Sequence, residues 1–211
     1  MIRNRKKVFS LSVVILLIAT MFSSFAGQLF TDVPEGDWSE TYISRVTNSE
    51  IMPGFEDVTF KPKSLATKME TVVAIYRMLN ASGKLADVNV VEVTAKHQTL
   101  INKYNVSEAL SPYGKDNHKA LAVALELKII EEEDLKTFVL DGKFVPVTRL
   151  ETAVYVGKAL ANYIELEEKK MDFAYSYKDK FDIPFKSAPY VDLLVMKEIL
   201  SVTGDENGKF N

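Results

Sequence analysis

The sequence predicts a mainly α-helical chain built from one helix–turn–helix motif in tandem, two copies complete and a third broken off at Asn211. Three observations carry this. An apolar quartet recurs at fixed spacing: Tyr42, Ile43, Val46 and Ile51; Ala120, Leu121, Ala124 and Ile129; Tyr190, Val191, Leu194 and Ile199. Such spacing fits one face of a helix that leaves its helical path near the isoleucine. Each isoleucine leads through turn residues to a phenylalanine, Phe60, Phe144 or Phe210. After the first two comes a Thr-x-x-Glu box, Thr67 to Glu70 and Thr148 to Glu151, the signature of a capped helix start.

The elements follow in chain order. Arg3, Arg5, Lys6 and Lys7 precede an uncharged apolar run from Val8 to Phe22, and Ser24-Phe25-Ala26 supplies small residues for cleavage. Residues 1–26 therefore read as a secretory signal removed after Ala26. A retained anchor is the rival reading, but the run falls short of the roughly 20 residues a bilayer requires. The first motif copy occupies 29–80. Its second helix carries Met69, Val72, Val73, Tyr76 and Leu79 on one face. An inserted connector spans 81–112, with helical character from Val90 to Tyr104, a possible cap over Asn105-Val106-Ser107 and a turn at Ser111-Pro112-Tyr113-Gly114. The second copy covers 113–170, its second helix presenting Leu150, Val154, Gly157, Leu160 and Ala161. The third covers 171–211 and stops before its second helix, so the chain is expected to be a piece of a longer product.

Composition narrows the partners. Residues 1–26 hold four basic and no acidic groups, so their removal takes the formal net charge from −3 to −7. An acidic surface gives no electrostatic drive toward nucleic acid or anionic lipid. The chain has no cysteine, so packing and not disulfides must hold it together. No membrane partner is expected once the signal is gone.

Read together, Phe30-Thr31-Asp32-Val33, Trp38, Ile51 with Gly54, Phe60-Lys61-Pro62 and then Thr67-x-x-Glu70 resemble the S-layer homology repeat of clostridial and related Gram-positive surface proteins. Asp141-Gly142-Lys143-Phe144-Val145-Pro146 followed by Thr148-Arg149-Leu150-Glu151 resembles it most closely. Tyr177-Lys178-Asp179 through Gly208-Lys209-Phe210 is similar to its first half. The resemblance implies tandem repeats packed as a pseudo-threefold helical prism, here incomplete. It also implies non-covalent anchoring to the cell wall, by binding a secondary wall polysaccharide that often carries a pyruvate ketal.

That ligand presents a carboxylate on a sugar ring. The resemblance puts Arg149 at the family's arginine, where a planar guanidinium grips a carboxylate bidentately. A helix N-terminus also favours an anion. A solvated first-turn arginine is the plain alternative. Lys68 stands at the same place in the first copy and keeps charge without the fork. The resemblance puts Trp38, the only tryptophan, at a groove position where a ring can stack on sugar; a partly buried helix-start residue packed on the core is the alternative, and the corresponding residues are Asp116 and Lys186. Asp32 is expected either to touch ligand or to cap a turn. Thr67, Glu70, Thr148 and Glu151 are assigned to capping, and Gly54 to a turn of positive φ.

An enzyme is not expected. His97 and His118 are the only histidines and stand outside any ligand-spaced motif. No nucleophile or metal signature appears, and no cofactor is expected. Glu131-Glu132-Glu133-Asp134 reads as a solvated helix start, and Asp205-Glu206-Asn207-Gly208 as a turn lacking a calcium loop's later glutamate. The alternative function is a structural subunit of a surface lattice, acting through contacts with other surface-layer proteins. Either role places the protein outside the cell, at the wall or S-layer.

Overall fold

The computed structural model describes residues 29–104, 106, 114–164 and 174–210. The expected signal segment, most of the cap and turn expected over 105–113, and residues 165–173 lie outside them. The chain is mainly helical. Among the described residues the helices are α1 (Glu40–Asn48), α2 (Lys68–Ala81), α3 (Val90–Lys103), α4 (Gly114–Glu126), α5 (Glu132–Leu135), α6 (Arg149–Ala161) and α7 (Ala188–Met196). Strands β1 (Val139–Leu140) and β2 (Lys143–Phe144) form an antiparallel hairpin with Val139 opposite Phe144. Asp141 and Gly142 both have positive φ, as a two-residue hairpin turn requires.

Two compact units divide the chain. Among the described residues, the first comprises residues 29–47 together with Pro53–Pro62, and the second comprises Asn48–Met52 and those from Lys63 onward. In the first, α1 buries Ile43 against Phe30 and Val33, with Phe60 packed alongside. The Phe30 and Phe60 ring centroids are 5.3 Å apart. This small core sits where the chain reverses, as the recurring phenylalanine predicts.

In the second unit, α2 packs on α4 and on α6, α3 packs on α4, and α6 packs on α7. One core gathers Met69, Val72 and Val73 of α2 with Leu121 and Val123 of α4. A second gathers Ala153 of α6 with Val191, Leu194 and Phe210. The inserted helix α3 is fastened to α4 by Lys96 and His97, both bonded to Glu126, and by Ile101, which is fully buried.

The helices that carry the second and third apolar quartets end in one way. Lys128 and Glu198 adopt positive φ directly before Ile129 and Ile199, as Glu50 does before Ile51. Ile129 N–H then donates to Ala124 C=O at 2.8 Å, and Ile199 N–H to Leu194 C=O at 2.8 Å. The preceding residues close the shorter bond, Lys128 to Leu125 and Glu198 to Val195. These are Schellman caps formed without glycine.

Where α6 meets α7, a glycine on one side faces a tyrosine on the other. Gly157 of α6 lies so close to α7 that an added Cβ would meet Tyr190 Cβ at 2.6 Å and Tyr190 C=O at 2.9 Å. Counted from the capping threonine, Gly157 corresponds to Tyr76 in α2. Counted back from the isoleucine, Tyr190 corresponds to Ala120 in α4. The tyrosine sits on the first helix in one pairing and on the second in the other. An alignment by residue type hides this exchange.

Candidate functional site

The N-termini of α2 and α6 define the site in the second unit. Thr67 and Thr148 both cap. The Glu70 and Glu151 N–H groups donate to the threonine hydroxyls at 3.1 and 3.2 Å. Each glutamate returns a carboxylate oxygen to the threonine N–H, at 2.8 and 2.9 Å. Both are complete capping boxes. The two starts are sewn side by side. Thr67 bridges Pro146 in antiparallel fashion, Lys68 N–H donates to Val145 C=O, and Val147 N–H donates to Ala66 C=O, both at 2.9 Å.

Lys68 does not face solvent. It is 6% exposed, and its Nζ lies 2.7 Å from Glu151 Oε1 and 2.8 Å from Thr137 Oγ1. The cation that sequence reasoning placed toward a ligand is already neutralised by the capping glutamate of the next helix. Burial pushes the Glu151 carboxyl up, but the Lys68 ammonium and the Thr148 donors outweigh it and hold the group below its ordinary range.

Arg149 differs. It is the first residue of α6 and is exposed. Its guanidinium carbon lies 5.4 Å from the centroid of Phe210. Among the described residues no carboxylate pairs with it. The Phe210 ring is 1% exposed and leans on Tyr177 at 5.4 Å, and Tyr177 stacks on Tyr175 at 4.7 Å. Burial raises the Tyr177 phenol, with the positive charge of Arg149 working against that rise. Tyr175 is pushed up to about 12, chiefly by burial.

Trp38, Asp32 and Gly54 fall in the first unit. Trp38 is 82% exposed and meets Tyr42 edge-on at 6.3 Å. Asp32 spends both carboxylate oxygens on backbone, accepting from Phe60 N–H at 2.8 Å and Lys61 N–H at 2.7 Å. The Phe60 bond is the main cause of its lowered pKa. Gly54 has φ +81°, and a Cβ there would collide with the Phe30 ring and approach Thr59 C=O to 3.0 Å. The same loop recurs near the C-terminus. Asp179 accepts from Phe210 N–H at 2.8 Å, Lys178 N–H donates to Gly208 C=O as Thr31 N–H does to Val58 C=O, and Asp205 N–H donates to Lys209 C=O as Phe55 N–H does to Thr59 C=O.

Sequence reasoning missed three features. Phe210 looks like a core plug in sequence, and is one, but it also carries the Arg149 guanidinium on its face. Asp116, at the position corresponding to Trp38, is taken up by Arg77 of α2. Phe181 and Phe185 are 84% and 79% exposed before α7, so aromatic surface at this part of the motif is not confined to Trp38. In sequence each stands beside a lysine, Lys180 before Phe181 and Lys186 after Phe185.

Comparison with known proteins gives two similarities. A family model for the S-layer homology domain matches residues 29–72. A surface layer protein of Brevibacillus choshinensis is 27% identical over 158 residues, covering 72% of this chain and 13% of that protein. The chain thus spans 13% of the length of this curated relative. No solved structure matches the chain.

Proposed function

We propose that this chain anchors an exported protein to the cell wall by binding the carboxylate of a pyruvylated secondary wall polysaccharide, with Arg149 as the principal contact. The observation that carries the reading is the contrast between two cations at corresponding places. Lys68 follows the capping threonine of α2 and holds a carboxylate at 2.7 Å. Arg149 follows the capping threonine of α6, is exposed, and has no carboxylate among the described residues. An anion seated at Arg149 would gain what Glu151 gains from Lys68, with the α6 N-terminus adding its own attraction.

The other expected contacts take graded roles. Trp38 offers an exposed ring for stacking on sugar. Asp32 acts through the loop it clamps, and Lys68 acts through Glu151 and so through the start of α6. The three motif copies, with boundaries near 29–80, 113–170 and 171–211, would pack as an incomplete pseudo-threefold prism. The helix pairings α2 on α4 and α6 on α7 support that arrangement. Removal of residues 1–26 would release the protein to the wall, without an enzymatic role, a cofactor or a nucleic-acid partner. Among the described residues no helix is long and apolar enough to cross a membrane.

The test is a pull-down with purified walls before and after chemical removal of the polysaccharide. Binding is expected only to intact walls, and Arg149→Ala should lose at least ten-fold in affinity, the equivalent of a charge-assisted bond of about 1.5–3 kcal/mol. Equal binding to stripped walls would refute the proposal. The second reading is a lattice subunit that works through protein contacts. The exposed Phe181 and Phe185 favour it, and concentration-dependent assembly without any wall component is the result it requires.

A further inference from the structure

We infer that Phe210 is a positioning residue for the anion site, holding the Arg149 guanidinium flat so that its N–H edge faces the incoming carboxylate; this rests on the binding role proposed for Arg149. The ring is firmly placed. Its own N–H is bonded to Asp179 Oδ1 at 2.8 Å. The preceding N–H, of Lys209, is bonded to Asp205 Oδ1 at 2.8 Å. It is backed by the tilted ring of Tyr177, whose hydroxyl donates to Ser201 C=O at 2.6 Å. A buried, doubly tethered ring is a fixed surface.

Arg149 needs such a surface. As the first residue of α6 it has no preceding helical turn to pack against, and its flexible stem leaves the head free to wander. With the guanidinium carbon 5.4 Å from the Phe210 centroid, the cation is attracted to the ring face. A guanidinium lying flat on that ring would keep its in-plane N–H fork available, which is the geometry a carboxylate takes bidentately. Because the ring excludes water from one face, the anion meets a partly desolvated, pre-oriented donor. The loop of the third motif copy therefore completes the site at the head of the second copy's helix, and affinity should depend on a residue that never touches the ligand.

Four variants of the full chain test this: Phe210→Leu, which keeps apolar bulk and removes the π face, Phe210→Tyr, which restores it, Arg149→Ala, and Phe210→Leu combined with Arg149→Ala. Each is measured for urea midpoint, for the side-chain Nε–H resonance of Arg149 where that residue is retained, and for affinity to purified wall polysaccharide. In the native chain the Arg149 Hε signal should show a ring-current shift that Phe210→Leu abolishes and Phe210→Tyr restores. Phe210→Leu should weaken binding about three- to tenfold, the range a cation–π contact supports, while Phe210→Tyr stays within about twofold of native. Once Arg149 is alanine, Phe210→Leu should add nothing. An unshifted Hε in the native chain, or equal loss in Phe210→Leu and Phe210→Tyr at unchanged stability, overturns the positioning role whatever the ligand. Native affinity in Arg149→Ala overturns the binding reading instead, and the ligand half of this inference with it.

Discussion

Replacing Glu151 with glutamine probes the joint between the two capped helix starts. Glu151 serves two partners: it returns a carboxylate oxygen to Thr148 N–H, and its other oxygen neutralises Lys68. Glutamine keeps a carbonyl for the cap but removes the charge. The Lys68 side chain is 8% exposed, so its ammonium would be left with Thr137 alone. Stripping one partner from a fully buried pair costs about 3–5 kcal/mol. Glu151 is 32% exposed, so water can reach the site, and about 2–3 kcal/mol is the expected loss. Lys68→Met removes the cation and keeps the apolar stem, so about 1 kcal/mol or less is expected. The double variant should then be more stable than Glu151→Gln alone. Urea titrations with unchanged slope measure this directly. A coupling energy near zero, or Lys68→Met costing more than Glu151→Gln, would refute an uncompensated buried cation as the cause.

Three further outcomes follow from the same geometry. Gly157→Ala should destabilise by about 1–3 kcal/mol, because the new methyl meets Tyr190 backbone and Cβ and not a movable side-chain end; a neutral result in thermal melts would contradict the close approach of α6 and α7. Thr148→Ala should cost about 1 kcal/mol by uncapping α6, read as a lower urea midpoint, and an unchanged midpoint would deny the cap its role. Glu126, Glu132 and Glu151 are all held below the ordinary glutamate pKa of 4.5. A depressed carboxyl adds stability that is complete above its unfolded pKa and is lost as pH falls through its folded pKa. Stability should therefore be level from neutral to about pH 5 and fall below it, and a urea midpoint that rises on acidification would contradict the assignment.

Helix starts were legible in the sequence because their chemistry is local. Thr67 to Glu70 and Thr148 to Glu151 need only four consecutive residues, and both boxes form with the expected bonds. Helix ends were half legible. The isoleucine marked where each helix leaves its path, but the positive φ falls on Glu50, Lys128 and Glu198, where no glycine announces it. What the sequence could not reveal are relations between distant segments. Lys68 and Arg149 look alike in one dimension, yet one is turned inward because Glu151 and Thr137 meet it, and the other is left outside. Asp32 reads as a possible ligand group until the fold brings Phe60 and Lys61 N–H onto its two oxygens. Phe210 acquires its second role only from the placement of Arg149 above it.

The proposed wall anchoring depends on Arg149 taking a carboxylate carried by the wall polysaccharide. Calorimetric titration of the purified chain with that polysaccharide, intact and after selective removal of its pyruvate ketals, tests it most directly. Saturable binding to the intact glycan is expected, with loss of at least ten-fold in affinity once the ketal is gone and no further loss on ketal removal in Arg149→Ala. Equal affinity for intact and ketal-free glycan would contradict it.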